Sequence, residues 1–174
     1  MWPYWLTFLI PAALAVFRRP RGRVFLRRDL VPTWNIEWAL IVLWFALFIG
    51  FRFEVGGDWF NYIRRLDMIR HLDLSDALLS LSDPGYILLN WLSNYFGWGV
   101  YGVNLIGGAI FTVALVTFCR GQPLPWLALA VSVPYVVIVL GMGYTRQGIA
   151  LGFALLGFLA LRREDNATFV FWVV

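Results

Sequence analysis

Lysine is missing altogether: all 14 basic residues of the chain are arginine. Charge of either sign is scarce, 14% of 174 residues, against 61% that are hydrophobic. A soluble domain of this length needs a polar shell that so few charged groups cannot build, so the composition reads as an integral membrane protein. A single cysteine, Cys119, excludes an internal disulfide and a cysteine-cluster metal site. The lone histidine, His71, has no further ligands at recognisable spacing, so neither a metal nor a cofactor is expected. No phosphate-cradling glycine loop is present either, because "GMGYTRQG" neither follows a soluble strand nor keeps the required spacing. The net charge of +4 therefore reports membrane topology and not a nucleic-acid partner.

What the chain does have is long apolar runs. Trp2–Phe17, Trp38–Phe53, Val100–Phe118, Leu124–Gly141 and Gln147–Leu161 are five candidate spans, and Phe169–Val174 begins a sixth. A helix needs about 20 residues to cross the hydrocarbon, so the first and fifth must borrow flanking residues or tilt little. The expected fold is all-α: one polytopic transmembrane bundle over residues 1–174, with about five to six spans. Nine arginines fall on one side of it (18, 19, 21, 23, 27, 28, 120, 162 and 163), and five on the other beside six acids. The positive-inside rule then places the N-terminus outside, Arg18–Thr33 in the cytoplasm and Glu54–Gly99 outward. Too few residues follow Thr168 to cross a bilayer, so the sequence reads as the N-terminal part of a longer protein.

The outward loop, 54–99, carries helical pattern. Trp59, Tyr62, Ile63, Leu66 and Ile69 form one apolar stripe, with Arg64, Asp67 and His71 on the opposite face. Asp58 stands where an N-cap belongs, after a turn at Gly56-Gly57. In "SDPGYILLNWLSNYFG", Asp83 is a second candidate N-cap, with Pro84 at the first helical position. A dozen residues is short for a span, so these read as interfacial helices forming a platform on the outer face.

Charge close to hydrocarbon is expensive, so two arginines call for a reason. Arg52, in "GFRFEVGGD", reads either as an aromatic-flanked arginine snorkelling to headgroups or as a ligand group. Arg146 has the same two readings, but Gln147 beside it at a helix start favours an anion site. The first turn's free N–H groups add positive potential there, and a guanidinium forks onto phosphate. Gly148 and Gly152 form a GxxxG pair whose natural meaning is close helix packing.

Three segments together resemble the EpsG family of bacterial exopolysaccharide membrane proteins, relatives of the Wzy-type O-antigen polymerases. "GFRFEVGGDWFNY" is similar to the family's Arg-x-x-x-Gly-x-Asp-x-x-x-Tyr pattern, placing Arg52, Gly56, Asp58 and Tyr62 on it. "SDPGYILLNWLSNYFG" resembles its acidic-Pro-Gly-aromatic segment, here Asp83 to Tyr86, and "GYTRQGIALGFALL" its Arg-Gln helix start, with Arg146 and Gln147. Gly57 departs from a common threonine, and Glu54 from a basic or amide residue. The resemblance implies a glycosyltransferase that polymerises oligosaccharide repeat units carried on polyprenyl diphosphate, at the outer face of the bacterial cytoplasmic membrane. Its partners are then that lipid-linked oligosaccharide, membrane lipids and other polysaccharide-assembly membrane proteins. It implies Asp58 and Arg146 as catalytic residues and Arg52, Tyr62, Asp83 and Gln147 as substrate-binding ones. Two rivals stay open: a transporter or flippase of lipid-linked sugars, and a membrane acyltransferase acting on the glycan.

Overall fold

The computed structural model describes residues 2–18, 34–80 and 83–173, and every regular element among them is a helix. The expected cytoplasmic segment Arg18–Thr33 lies, from residue 19 on, outside the described residues. The apolar runs become α1 (Trp2–Phe17), α2 (Ile36–Gly50), α6 (Gly99–Arg120), α7 (Pro125–Ser132) and α8 (Thr145–Arg162), with α9 (Asn166–Val173) last. Between α2 and α6 lie α3 (Trp59–Ile69), α4 (Leu74–Ser80) and α5 (Pro84–Tyr95). Of these, α3 and α5 match the periodicity of the loop, whereas the seven-residue α4 is too short to show a period.

Among the described residues, α6 is the one helix long and apolar enough, by length and composition, to cross a membrane. The shorter apolar helices are Trp2–Phe17, Ile36–Gly50 and Pro125–Gly141. At 1.5 Å per residue they reach about 22 to 26 Å, somewhat less than a full hydrocarbon core.

The sequence of α6 explains its place at the centre. Its buried Phe111, Leu115, Val116 and Cys119 pack with Trp38, Ile41, Phe45 and Ile49 of α2, and with Trp126 and Leu129 of α7. Trp38 and Trp126 stack with ring centroids 3.9 Å apart. On its other side α6 meets the GxxxG pair. A Cβ on Gly152 would stand 3.3 Å from both the Cα of Phe111 and the Cβ of Ala114, so the small residue is what allows this approach.

α7 does not end at Ser132 but continues as a π-helix over Val133–Gly141. Pro134 sits at its start, where a proline has no N–H to give and its ring crowds the carbonyl four residues back. The sequence shows the proline but not the change of winding, which moves the end of the helix and sets where Gly141 presents its carbonyl.

The outward helices pack in turn. Tyr62 and Leu66 of α3 meet Tyr86 of α5 and Val103 of α6. Ile69, Ala77 and Ile87 join α3, α4 and α5 in a second small core. Of the expected stripe, Trp59, Tyr62, Leu66 and Ile69 are buried, while Ile63 is exposed. Asn94 ties the two helices further by donating to the carbonyl of Leu66 at 2.9 Å.

Candidate functional site

The turn between α2 and α3 is set by Gly56. Its φ is +99°, and a Cβ there would lie 2.5 Å from the carbonyl oxygen of Gly143. Only glycine satisfies both conditions, so the loop before α3 is pressed against the loop before α8. Gly56→Ala is expected to destabilise the fold by more than about 2 kcal/mol, since it adds a backbone clash to a left-handed strain. Thermal unfolding in detergent checks this, and an unchanged midpoint would refute the close approach.

That approach brings the three motif segments to one cleft of about 650 Å³. Asp58 and Tyr62 come from the first, Asp83 and Tyr86 from the second, and Arg146 and Gln147 from the third. Leu89, Ile110, Ile149, Ala150 and Phe153 make the apolar part of the wall. One end of the cleft is therefore polar, with the Arg146 guanidinium and the carboxylates of Asp58 and Asp83 in the lining, and the other is lined by α5, α6 and α8 with hydrocarbon.

Arg146 donates from Nη1 to Asp83 Oδ2 at 2.9 Å, with both side chains partly exposed. Its guanidinium also lies 5.8 Å from the centroid of the Tyr86 ring, close enough for a cation–π contact. Neither acid caps a helix with its side chain. Asp83 occupies the residue before α5 but with φ +77°, ψ +66°, and its carboxylate turns to Arg146. Asp58 precedes α3 without a capping bond, and its Oδ1 accepts from the Asn61 side chain at 3.2 Å. The sequence signal for a cap is therefore correct in position and not in side-chain use.

Arg52 takes a place that the sequence did not indicate. It is neither snorkelling nor a lining residue of the cleft, but 3% exposed within the protein. Nη1 donates to the Gly141 carbonyl at 2.9 Å, and Nη2 to Asn104 Oδ1 at 3.1 Å and Thr145 Oγ1 at 2.6 Å. Thr145 in turn donates to Asn104 at 2.9 Å. Every one of these acceptors is neutral. Among the described residues Arg52 has no carboxylate partner, and its Nε is buried without a bond. A buried cation held only by neutral dipoles keeps its field, and this one sits directly behind the first residue of α8. The end of the π-helix helps to hold it, because last-turn carbonyls lack partners and favour a cation.

Asn104 and Thr145 escaped the sequence reading. Asn104 left a trace, as an amide inside the otherwise apolar "VYGVNLIGG", and Thr145 directly precedes Arg146. Tyr86 was visible on its motif but carried no assigned task.

The cleft walls offer no evident metal cage: among the described residues no group of three or more His, Cys, Asp and Glu is placed to hold an ion. What the arrangement offers is a cation at the mouth, a second one behind it, carboxylates at Asp58 and Asp83, and an apolar trough. Such a site suits an anionic headgroup attached to a hydrocarbon chain. No curated protein and no solved structure matches the chain. One family model does, over residues 35–174, a stretch that contains all three segments of the cleft. The protein belongs to the EpsG family.

Proposed function

We propose that this protein is a polysaccharide polymerase-type glycosyltransferase, joining repeat units carried on polyprenyl diphosphate at the outer face of the bacterial cytoplasmic membrane. The observation that carries the reading is the convergence of the three motif segments on one cleft that joins a polar, arginine-bearing end to an apolar wall. Family membership supports a role in polysaccharide assembly. The exposed apolar side chains of α2, α7 and α8, such as Leu40, Leu43, Val131 and Phe158, support a multi-pass bundle of five to six spans. In that arrangement the N-terminus lies outside, with α3, α4 and α5 on the outward side.

The chemistry follows from the donor. An acceptor hydroxyl oxygen attacks the anomeric carbon, and a C–O bond forms as the bond to the diphosphate oxygen breaks. The bonding pair leaves with the polyprenyl diphosphate, so negative charge grows on its phosphates. Arg146 meets that charge as a forked donor, and Arg52 adds positive potential from behind it. Gln147 donates its amide N–H to a phosphate or sugar oxygen. Asp58, partly exposed at the cleft, takes the acceptor proton. Asp83 orients Arg146 through Oδ2 and has Oδ1 left for a sugar hydroxyl. The apolar wall accommodates the first isoprene units. No nucleotide-sugar site is needed, because the donor sugar is already activated.

The location of lipid-linked intermediates tests this against its rivals. Deleting the gene should leave single lipid-linked repeat units on the outer leaflet, with long polymer lost. Accumulation on the inner leaflet would point instead to transport, and unmodified polymer of normal length to an acyltransferase.

A further inference from the structure

We propose that Tyr62 and Tyr86 form a pair of neutral hydrogen-bond donors for the phosphate oxygens of the bound lipid, and that their hydroxyls are kept at the expense of stability. The inference rests on the reading of the cleft as a diphosphate site; it gives Tyr62 a specific task there and adds Tyr86 as a further group that touches the anion. Tyr62 is 2% exposed and Tyr86 6%, their ring centroids are 5.9 Å apart, and both line the cleft. The Tyr62 hydroxyl lies beside the backbone of Thr145 and that of Tyr86 beside Asn90, yet neither makes a hydrogen bond of good geometry. A buried hydroxyl without a partner is worse than no hydroxyl, and phenylalanine would fill either position with the same ring. Two such groups, from two different helices and in the wall of one cleft, point to a ligand that completes them as it settles between those helices.

The chemistry of that ligand is constrained. Burial pushes the Tyr62 pKa above its ordinary value, with nearby Asp58 adding to the effect, and burial chiefly pushes up that of Tyr86. Both phenols therefore stay protonated and serve as donors. Donors beside a guanidinium call for an acceptor-only anion, and two separated hydroxyls fit the several oxygens of a diphosphate better than a single carboxylate. The Tyr86 ring also lies under Arg146, so one residue steadies the cation and shares its ligand.

The test uses purified protein in nanodiscs and Tyr62→Phe, Tyr86→Phe and the double variant, with Tyr135→Phe, exposed on the π-helix, as control. Probes are farnesyl diphosphate, inorganic pyrophosphate and farnesol. Each cleft variant should weaken farnesyl diphosphate binding about tenfold, the worth of a hydrogen bond to a charged group, and leave farnesol unaffected. Pyrophosphate should bind less tightly than farnesyl diphosphate but show the same dependence, which separates the shared phosphate chemistry from the contribution of the chain. The unfolding midpoint of each cleft variant should rise by about 2 °C or more. Wild-type affinity in the double variant, or a fall in its midpoint, would overturn the donor pair while leaving the diphosphate site in place. Failure of the unaltered protein to bind farnesyl diphosphate would overturn the diphosphate reading itself.

Discussion

Replacing Arg146 by alanine should shorten or abolish polymer while leaving the protein folded and abundant in the membrane. The separation follows from what the side chain touches. Its ion pair with Asp83 is partly exposed on both sides, a situation worth at most about 1 kcal/mol to stability. Its position at the start of α8 is, if anything, unfavourable, since a helix N-terminus repels a cation. A residue that gains so little from the fold is placed there for something else. Loss of one preorganised donor to a developing anion lowers rates by about 10²- to 10³-fold, and the alanine variant should show a defect of that order. Arg146→Lys keeps the charge but not the planar fork, so it should remain at least about tenfold impaired. Polymer length on gels, set against immunoblots of membrane fractions, reads both. Full-length polymer from both variants would remove Arg146 from the mechanism.

Arg52 predicts the opposite pattern. Arg52→Ala strips donors from Gly141, Asn104 and Thr145 in one step and empties a buried site between α2, α6 and the start of α8. Charged hydrogen bonds of this kind are worth about 1.5 to 3 kcal/mol each and are not additive, so a loss of about 3 kcal/mol is expected. That is enough to lower abundance several-fold in cells. Arg52→Lys should recover little, because one ammonium cannot reach acceptors spread over three segments in the geometry of the fork. Fluorescence-detected size exclusion after graded heating measures this directly. A full-strength Arg52→Ala midpoint would mean that the three hydrogen bonds do not hold the start of α8.

The contrast between these two arginines marks how far the sequence could be read. Each is an arginine near the outer end of an apolar run, and periodicity distinguishes neither. Their fates differ because Gly56 and Gly143 bring together two loops far apart in the chain, and because the π-helix sets the Gly141 carbonyl within reach of Arg52. Both are tertiary facts. The apolar runs were legible as helices because burial of apolar surface and helix length are written in composition, and α3 because its stripe keeps a 3.6-residue period. The cap positions at Asp58 and Asp83 were legible too, whereas the turn of Asp83 toward Arg146 was not, since the two are 63 residues apart. Asn104, Thr145 and the Tyr62–Tyr86 pair became meaningful only once their neighbours were known.

The most direct test of the account is a structure of the protein in lipid with a prenyl diphosphate bound. The diphosphate should lie in the cleft between α3, α5 and α8, with a phosphate oxygen about 3 Å from the Arg146 guanidinium and the prenyl chain along Ile149 and Phe153. A diphosphate bound elsewhere, with Arg146 still held by Asp83 alone, would contradict it.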